Sequence, residues 1–293
     1  MENEAIPIHL RVEYPFSSNR FSLPDGNGCH YLDEGEGPVV LMLHGNPTWS
    51  FYYRNLVKHL SSIGYRCIVP DHIGCGLSDK PQEYPYTLSR HIRNLECLLS
   101  HLEVQKFSLI VHDWGGAIGM GLATEHMEAV EKITILNTAA FLSKRIPLRI
   151  RICKTPVVGE FITRAFNAFA WPATWMSVTK KMSRSIKEGY LLPYNSWKNR
   201  IATWRFVQDI PLCSCHKSYN RLEQIDQKLS KLADKPMQII WGGKDFCFDD
   251  SFYHEWVSRF PNAEADYLKD AGHYVLEDEA GSIEFKIETF LKS

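Results

Sequence analysis

The sequence predicts an α/β fold, with a mostly parallel central sheet, helices on both faces and a helical cap. Three observations predict it: short apolar runs that each stop at a small or polar residue, segments of helical spacing between them, and one long stretch where the strand rhythm is lost. The first run, Val39-Val40-Leu41-Met42-Leu43, stops at His44-Gly45, as a strand buried on both faces does. Arg66 to Pro70 ends at Asp71, Phe107 to Val111 at His112-Asp113, and Ile133 to Leu136 at Asn137. Met237 to Trp241 ends at Gly242-Gly243, and Ala263 to Leu268 is the last. Leu88 to Leu102 and Ala117 to His126 carry helical spacing between strands, an alternation that makes parallel sheets. Arg11 to Pro15 and Gly28 to Asp33 read as antiparallel edge strands leading in. In an open parallel sheet ligands gather beyond the carboxyl ends of the strands, which is where His44, Asp113 and Asp245 fall.

From about Phe141 to Ala233 the segments are helical and rich in aromatic residues, too long for a structureless loop. The expected division is therefore a core of residues 1–140 and 234–293 with a helical cap insertion of 141–233. Phe141, Phe166, Phe169 and Trp175 are its candidate substrate-pocket walls, although rings at such spacing also serve to pack a cap on its core.

The chain has 293 residues, 44% hydrophobic and 23% charged, enough for one large domain with an insertion. Its 33 basic residues against 34 acidic ones, with no basic stripe evident, point away from nucleic acid and toward small-molecule chemistry. Met1 to Pro15 carries Glu2, Glu4, Arg11 and Glu13 and lacks the basic start and apolar core of a signal peptide, so a cytoplasmic location is expected. No apolar run approaches the ~20 residues of a membrane span. The eight cysteines are scattered and expected to be mostly buried thiols. Cys213, Cys215 and His216 lack zinc spacing, so no metal is expected.

Val111-His112-Asp113-Trp114-Gly115-Gly116 puts an acid where a buried strand turns sharply into a helix, the position of a nucleophile elbow. The helix N-terminus and its N–H groups favour a carboxylate there, so Asp113 is expected to stay ionised. Taken alone, the segment also fits a helix N-cap. Asp245 follows a later strand, and His273 lies in Asp270-Ala271-Gly272-His273-Tyr274 after the last. Nucleophile, acid, histidine is the chain order of the α/β-hydrolase triad. His44-Gly45-Asn46-Pro47-Thr48-Trp49 occupies the place of one half of an oxyanion hole, with the backbone N–H groups of Asn46 and Trp114 aimed at a developing oxyanion. Their side chains, an amide and an indole, are donors without net charge and suit a departing anion. The Gly74-Cys75-Gly76 stretch lacks the Lys and third Gly of a phosphate loop and reads as a turn near the site mouth.

Together, His44-Gly45-Asn46-Pro47-Thr48, Asp113-Trp114-Gly115-Gly116, Trp241-Gly242-Gly243-Lys244-Asp245 and Ala271-Gly272-His273 resemble the haloalkane dehalogenase family over nearly the whole chain. The acid after the sixth central strand and the Asn46 and Trp114 pair resemble its third subfamily, which also includes the β-lactone decarboxylases of bacterial long-chain olefin biosynthesis. Ile135 to Phe141 entering the cap and Arg200 to Pro211 leaving it favour that second branch. The resemblance implies Asp113 as nucleophile, His273 as base, Asp245 as its orienting acid, no cofactor, a hydrophobic small-molecule substrate and other enzymes of the olefin pathway as partners. It implies decarboxylation of a cis-3,4-dialkyl-β-lactone to a cis-alkene, with haloalkane hydrolysis as the alternative. An epoxide hydrolase would need acidic O–H donors from the cap, for which Tyr190 and Tyr194 are the candidates. A non-catalytic binding protein would show a broken triad.

Overall fold

The computed structural model describes residues 6–293, so Glu2 and Glu4 of the N-terminal reading lie outside the described residues. Strands β1 (Asn19–Ser22), β2 (Gly28–Glu34), β3 (Val39–Leu43), β4 (Arg66–Pro70), β5 (Phe107–Asp113), β6 (Val130–Thr138), β7 (Met237–Gly242) and β8 (Glu264–Leu268) form one sheet, in the order β1-β2-β4-β3-β5-β6-β7-β8. The pairings from β4 through β8 are parallel, and only β2, paired with β1 and β4, runs against the other strands. Alternation assigns the side chains to two faces. Leu41, Leu43, Leu109, Val111 and Ile239 join one core cluster, while Val40, Met42, Ile110 and Ile240 join the other. Both faces being covered, the central strands are apolar at most positions, which is why they read as runs rather than alternations, with Ser108, Thr134 and Gln238 as buried polar exceptions.

The outermost strand is not where the sequence placed it. Arg11 to Pro15 is a turn, with Tyr14 N–H on the Leu10 carbonyl at 2.9 Å and both side chains buried. That four-residue period is helical, and the edge strand falls at β1 instead. Helix α1 (Arg54–Ser62) lies on one face of the sheet; α2 (Leu88–His101) and α3 (Trp114–Glu125) lie on the other.

Between β6 and β7 come α4 (Leu148–Cys153), α5 (Val158–Ala165), α6 (Ala170–Met176), α7 (Arg184–Leu191), α8 (Ile201–Gln208) and α9 (Tyr219–Lys228). Leu222 and Ile225 of α9 join the core cluster of α2 and α3. After β7 come α10 (Asp250–Arg259), α11 (Val275–Asp278) and α12 (Ser282–Lys292). Cys213 and Cys215 are joined in a disulfide and are not free thiols, because the turn at Ser214 brings their Cα atoms to 5.3 Å. Among the described residues no helix is long and apolar enough to cross a membrane.

Candidate active site

Asp113 ends β5 and begins α3 with φ 50° and ψ −126°, a backbone conformation that non-glycine residues rarely hold. Neighbours hold it there. The Thr138 hydroxyl of β6 donates to the Asp113 carbonyl. A Cβ at Gly115 would strike the Leu43 carbonyl, and one at Gly45 would strike the Asp113 carboxylate, so both loops approach more closely than any side chain permits.

The carboxylate faces two sets of partners. On one side Oδ1 accepts the Asn46 backbone N–H at 2.7 Å, and the Trp114 backbone N–H also reaches the carboxylate. The N–H pair expected at an oxyanion thus grips the Asp113 carboxylate itself. On the other side Oδ2 lies 3.6 Å from His273 Nε2, whose Nδ1 meets Asp245 Oδ2 at 2.7 Å. The three predicted triad residues are together, each under a tenth exposed.

Burial pushes the Asp113 carboxyl above its ordinary range, and the His273 charge with the two backbone N–H groups only partly offsets this. Burial in the site thus opposes the N–H groups that were expected to favour the carboxylate, and burial is the larger effect. For His273 burial disfavours the cation, yet the Asp245 and Asp113 carboxylates outweigh it and its pKa is raised.

Asp245 follows β7, not the sixth strand. The end of β6 supplies Asn137, whose amide donates to Asp245 Oδ2 at 2.9 Å while its carbonyl accepts Gly242 N–H at 2.8 Å. The Cys247 N–H closes on Asp245 Oδ1 at 2.6 Å. Two further residues hold the histidine loop. His112, kept neutral by burial, donates Nε2–H to the His273 carbonyl at 2.9 Å. Asp278 accepts N–H bonds from Gly272 at 2.7 Å, Thr179 at 2.9 Å and Lys180 at 2.8 Å, tying that loop to the segment before α7. Sequence reasoning missed Asn137, His112 and Asp278 as site residues. The one signal was position, for Asn137 ends a buried strand and His112 adjoins the elbow.

Above the triad lies a cavity of about 380 Å³ whose floor is Asn46, Asp113, Trp114 and His273. Its walls are mostly apolar and include Phe141 and Phe169, with Ile162, Met176, Val207 and Ile210, while Arg145 and Arg149 also line it. Phe166 and Trp175 do not line it; they are 69% and 52% exposed. In α6 the cavity side is Pro172, Ala173 and Met176, so Trp171 and Trp175, four apart, share the outer side with rings 6.2 Å apart. Phe166 packs edge-on against Phe161, also outside.

Asn46 gives one amide hydrogen to the Thr203 carbonyl of α8 at 3.1 Å, which leaves the other for the cavity. The Trp114 indole sits edge-on to Phe206 at 5.3 Å, and among the described residues no acceptor meets its Nε1–H. Tyr190 donates to Glu277 at 2.5 Å and Tyr194 to the Thr48 carbonyl at 3.4 Å, and neither lines the cavity, so neither serves as an epoxide acid.

Residues 38–151 match the model of the alpha/beta hydrolase fold. The chain is 46% identical over 284 residues to a cis-3-alkyl-4-alkyloxetan-2-one decarboxylase of Shewanella oneidensis, covering 94% of this chain and 89% of that protein. It is 30% identical over 270 residues to haloalkane dehalogenase 2 of Mycobacterium bovis, covering 90% and 91%. The solved structure of haloalkane dehalogenase DbeA from Bradyrhizobium elkani superposes with a TM-score of 0.84 over 94% of this chain and 98% of that one, at 24% identity, a likeness of fold. Sequence and architecture agree, and the chain belongs to the α/β-hydrolase-fold family that holds the haloalkane dehalogenases and the cis-3-alkyl-4-alkyloxetan-2-one decarboxylases.

Proposed function

We propose that this enzyme converts a cis-3-alkyl-4-alkyloxetan-2-one, which is a cis-3,4-dialkyl-β-lactone, to a cis-alkene and carbon dioxide. The observation that carries the reading is the cavity: a largely apolar space of about 380 Å³ with one carboxylate and two neutral donors on its floor, in a chain 46% identical to a protein of that name. Two alkyl chains occupy the apolar walls and the small polar ring lies on the floor. Residues 141–233 act as the cap that shields it.

Asp113 attacks the ring carbon that bears oxygen, forming a carbon–oxygen bond as the ring carbon–oxygen bond breaks and the lactone becomes a free carboxylate. The Asn46 amide and Trp114 indole stabilise that anion as it forms. The bond to carbon dioxide then breaks, its electrons form the alkene, and the bond to Asp113 returns its pair to the carboxylate. Inversion in the first step and anti departure in the second restore the cis arrangement. No proton and no water are consumed, so His273, held by Asp245, serves as the charge partner of Asp113.

Haloalkane hydrolysis is the second reading, supported by the same neutral donors, which also suit halide. There Asp113 forms an alkyl ester and His273 activates water against it. Incubation with a cis-dialkyl-β-lactone and, separately, with 1,2-dibromoethane separates the two. Alkene and carbon dioxide from the first are expected; bromide release with no alkene would overturn the decarboxylase reading. We further propose that the enzyme works beside the other enzymes of a long-chain olefin pathway.

A further inference from the structure

The charge total of −1 conceals a separation. Residues 141–233 hold 17 Lys and Arg against 5 Asp and Glu, a net charge of +12, while the rest of the chain holds 16 against 29, a net charge of −13. Contrary to the reading of the whole sequence, the insertion is strongly basic. It is also where apolar surface is left open: among the described residues, nine of the thirteen large exposed hydrophobic side chains fall within it. Leu148, Val157, Phe161, Phe166, Trp171 and Trp175 are between 52% and 78% exposed. Scattered exposed apolar residues are ordinary, whereas a concentration on a few neighbouring helices marks an interaction surface.

These residues lie on α4, α5, α6 and the turns between them, and the elements touch. The Arg149 guanidinium reaches Met176 Sδ at 3.4 Å, joining α4 to α6, and the Phe161 ring lies 5.6 Å from Phe166 and 6.5 Å from Trp197. The cavity opens within this surface, because Arg145, Arg149 and Ile152 are at once exposed and part of its lining.

We propose that the outer face of α4 to α6 is a docking surface for an anionic phospholipid bilayer, seating the mouth of the cavity on the membrane. Charge complementarity identifies the occupant. Residues 144–154 contain Lys144, Arg145, Arg149, Arg151 and Lys154 and no acid. No carboxylate among the described residues pairs with Lys144, Arg149 or Arg151, although Arg145 lies 3.8 Å from Asp249. Protein interfaces deplete Lys at their centres, whereas a lipid interface accepts Trp rings at headgroup depth with Lys and Arg beside them. The acidic remainder of the chain is repelled by the same bilayer, so the charge separation sets one orientation. The consequence for catalysis rests on the decarboxylase reading: a dialkyl lactone partitions into lipid, and an enzyme with its mouth on the bilayer takes the substrate without passage through water.

The test uses the full chain without substrate, sedimented with vesicles of phosphatidylcholine alone or of phosphatidylcholine with phosphatidylglycerol. Binding to the second kind, weakening with added salt, is expected. Lys144→Gln with Arg151→Gln should lower the binding constant about 25-fold, roughly fivefold per charge removed near such a surface. Trp171→Ala with Trp175→Ala should abolish binding. None of the four residues lines the cavity, so kcat/KM on detergent-dispersed lactone should stay at the parent value in both variants, which also reports that they fold. Absence of binding to phosphatidylglycerol vesicles at low salt would overturn the proposal, as would variants that bind like the parent. A concentration-dependent dimer dissolved by the Trp substitutions, with no vesicle binding, would assign the face to a second copy and also overturn it. Vesicle binding in a protein that leaves the lactone untouched would remove the decarboxylase reading and leave the docking surface standing.

Discussion

In the proposed mechanism Asp113 meets two opposed demands, since its cavity must exclude water around an apolar substrate and its carboxylate must remain able to attack. Desolvation raises its pKa, and His273 with two backbone N–H groups pulls it part of the way back. Activity that needs the ionised form is lost as pH falls through that raised value. The acidic limb of kcat/KM is therefore expected above the ordinary ~3.9 of an aspartate, and His273→Ala, which removes a charge that lowers the Asp113 pKa, should move the limb of its residual activity higher still. A pH–rate series on both proteins checks this, and a limb at or below the ordinary value would refute it. Asp113→Asn should cut turnover at least about 10⁴-fold while Tm is retained, because Asn tolerates the positive φ and the lost charge was costly to bury. Asn46→Ala or Trp114→Phe should each cost about 10²–10³-fold in kcat, as loss of one preorganised donor does. Unchanged turnover in either would remove that donor from the mechanism.

At the scale of elements, the site is where four strand ends meet: β3 brings Asn46, β5 Asp113, β6 Asn137 and β7 Asp245, while the loop after β8 brings His273. The register of a parallel sheet sets these ends side by side, and hydrogen bonds between loops make the final adjustment. Asp278 joins two loops, because one buried carboxylate holds both Gly272 beside His273 and Thr179 and Lys180 before α7. Asp278→Ala leaves three N–H donors without that acceptor and should lower Tm by the equivalent of about 1–3 kcal/mol or more. If the clamp positions His273, kcat should fall as well, by up to about 10²-fold with KM little changed. A fall in Tm with kcat intact at a temperature where the variant is folded would reduce Asp278 to a structural role.

For the whole molecule, the helices over the strand ends set the Asp113 carboxylate at the base of a largely apolar space of about 380 Å³. Each methylene buried there contributes about 0.8 kcal/mol, so lengthening both alkyl chains of the lactone should raise kcat/KM roughly fourfold per methylene until the cavity is full. Measuring kcat/KM along a lactone series beside a series of short haloalkanes checks this. A flat lactone series with efficient halide release would point to dehalogenation.

The sequence by itself determined the sheet and the chain order of Asp113, Asp245 and His273, because strands covered on both faces are largely apolar and their ends are marked by Gly, Asn and Asp. Val39 to Leu43 and Phe107 to Val111 are local signals of that kind, and Asp113, Asp245 and His273 were legible as residues standing just past such ends. Arg11 to Pro15 was misread because its few residues satisfy a period of two or of four, and only the burial of Leu10 with Tyr14 decides. Which rings between β6 and β7 face the cavity was likewise a tertiary matter: a helix presents aromatic residues to either side, and the packing of α6 turned Trp175 outward while Phe169 lines the cavity. Asn137, His112 and Asp278 were hidden for a related reason. Asn137 and His112 act through side-chain hydrogen bonds to partners 105 to 161 positions away, and Asp278 joins Gly272, six positions off, to Thr179, 99 positions off. No local pattern encodes such pairs, since they exist only once parallel strands and long crossovers have brought distant loops to one edge of the sheet.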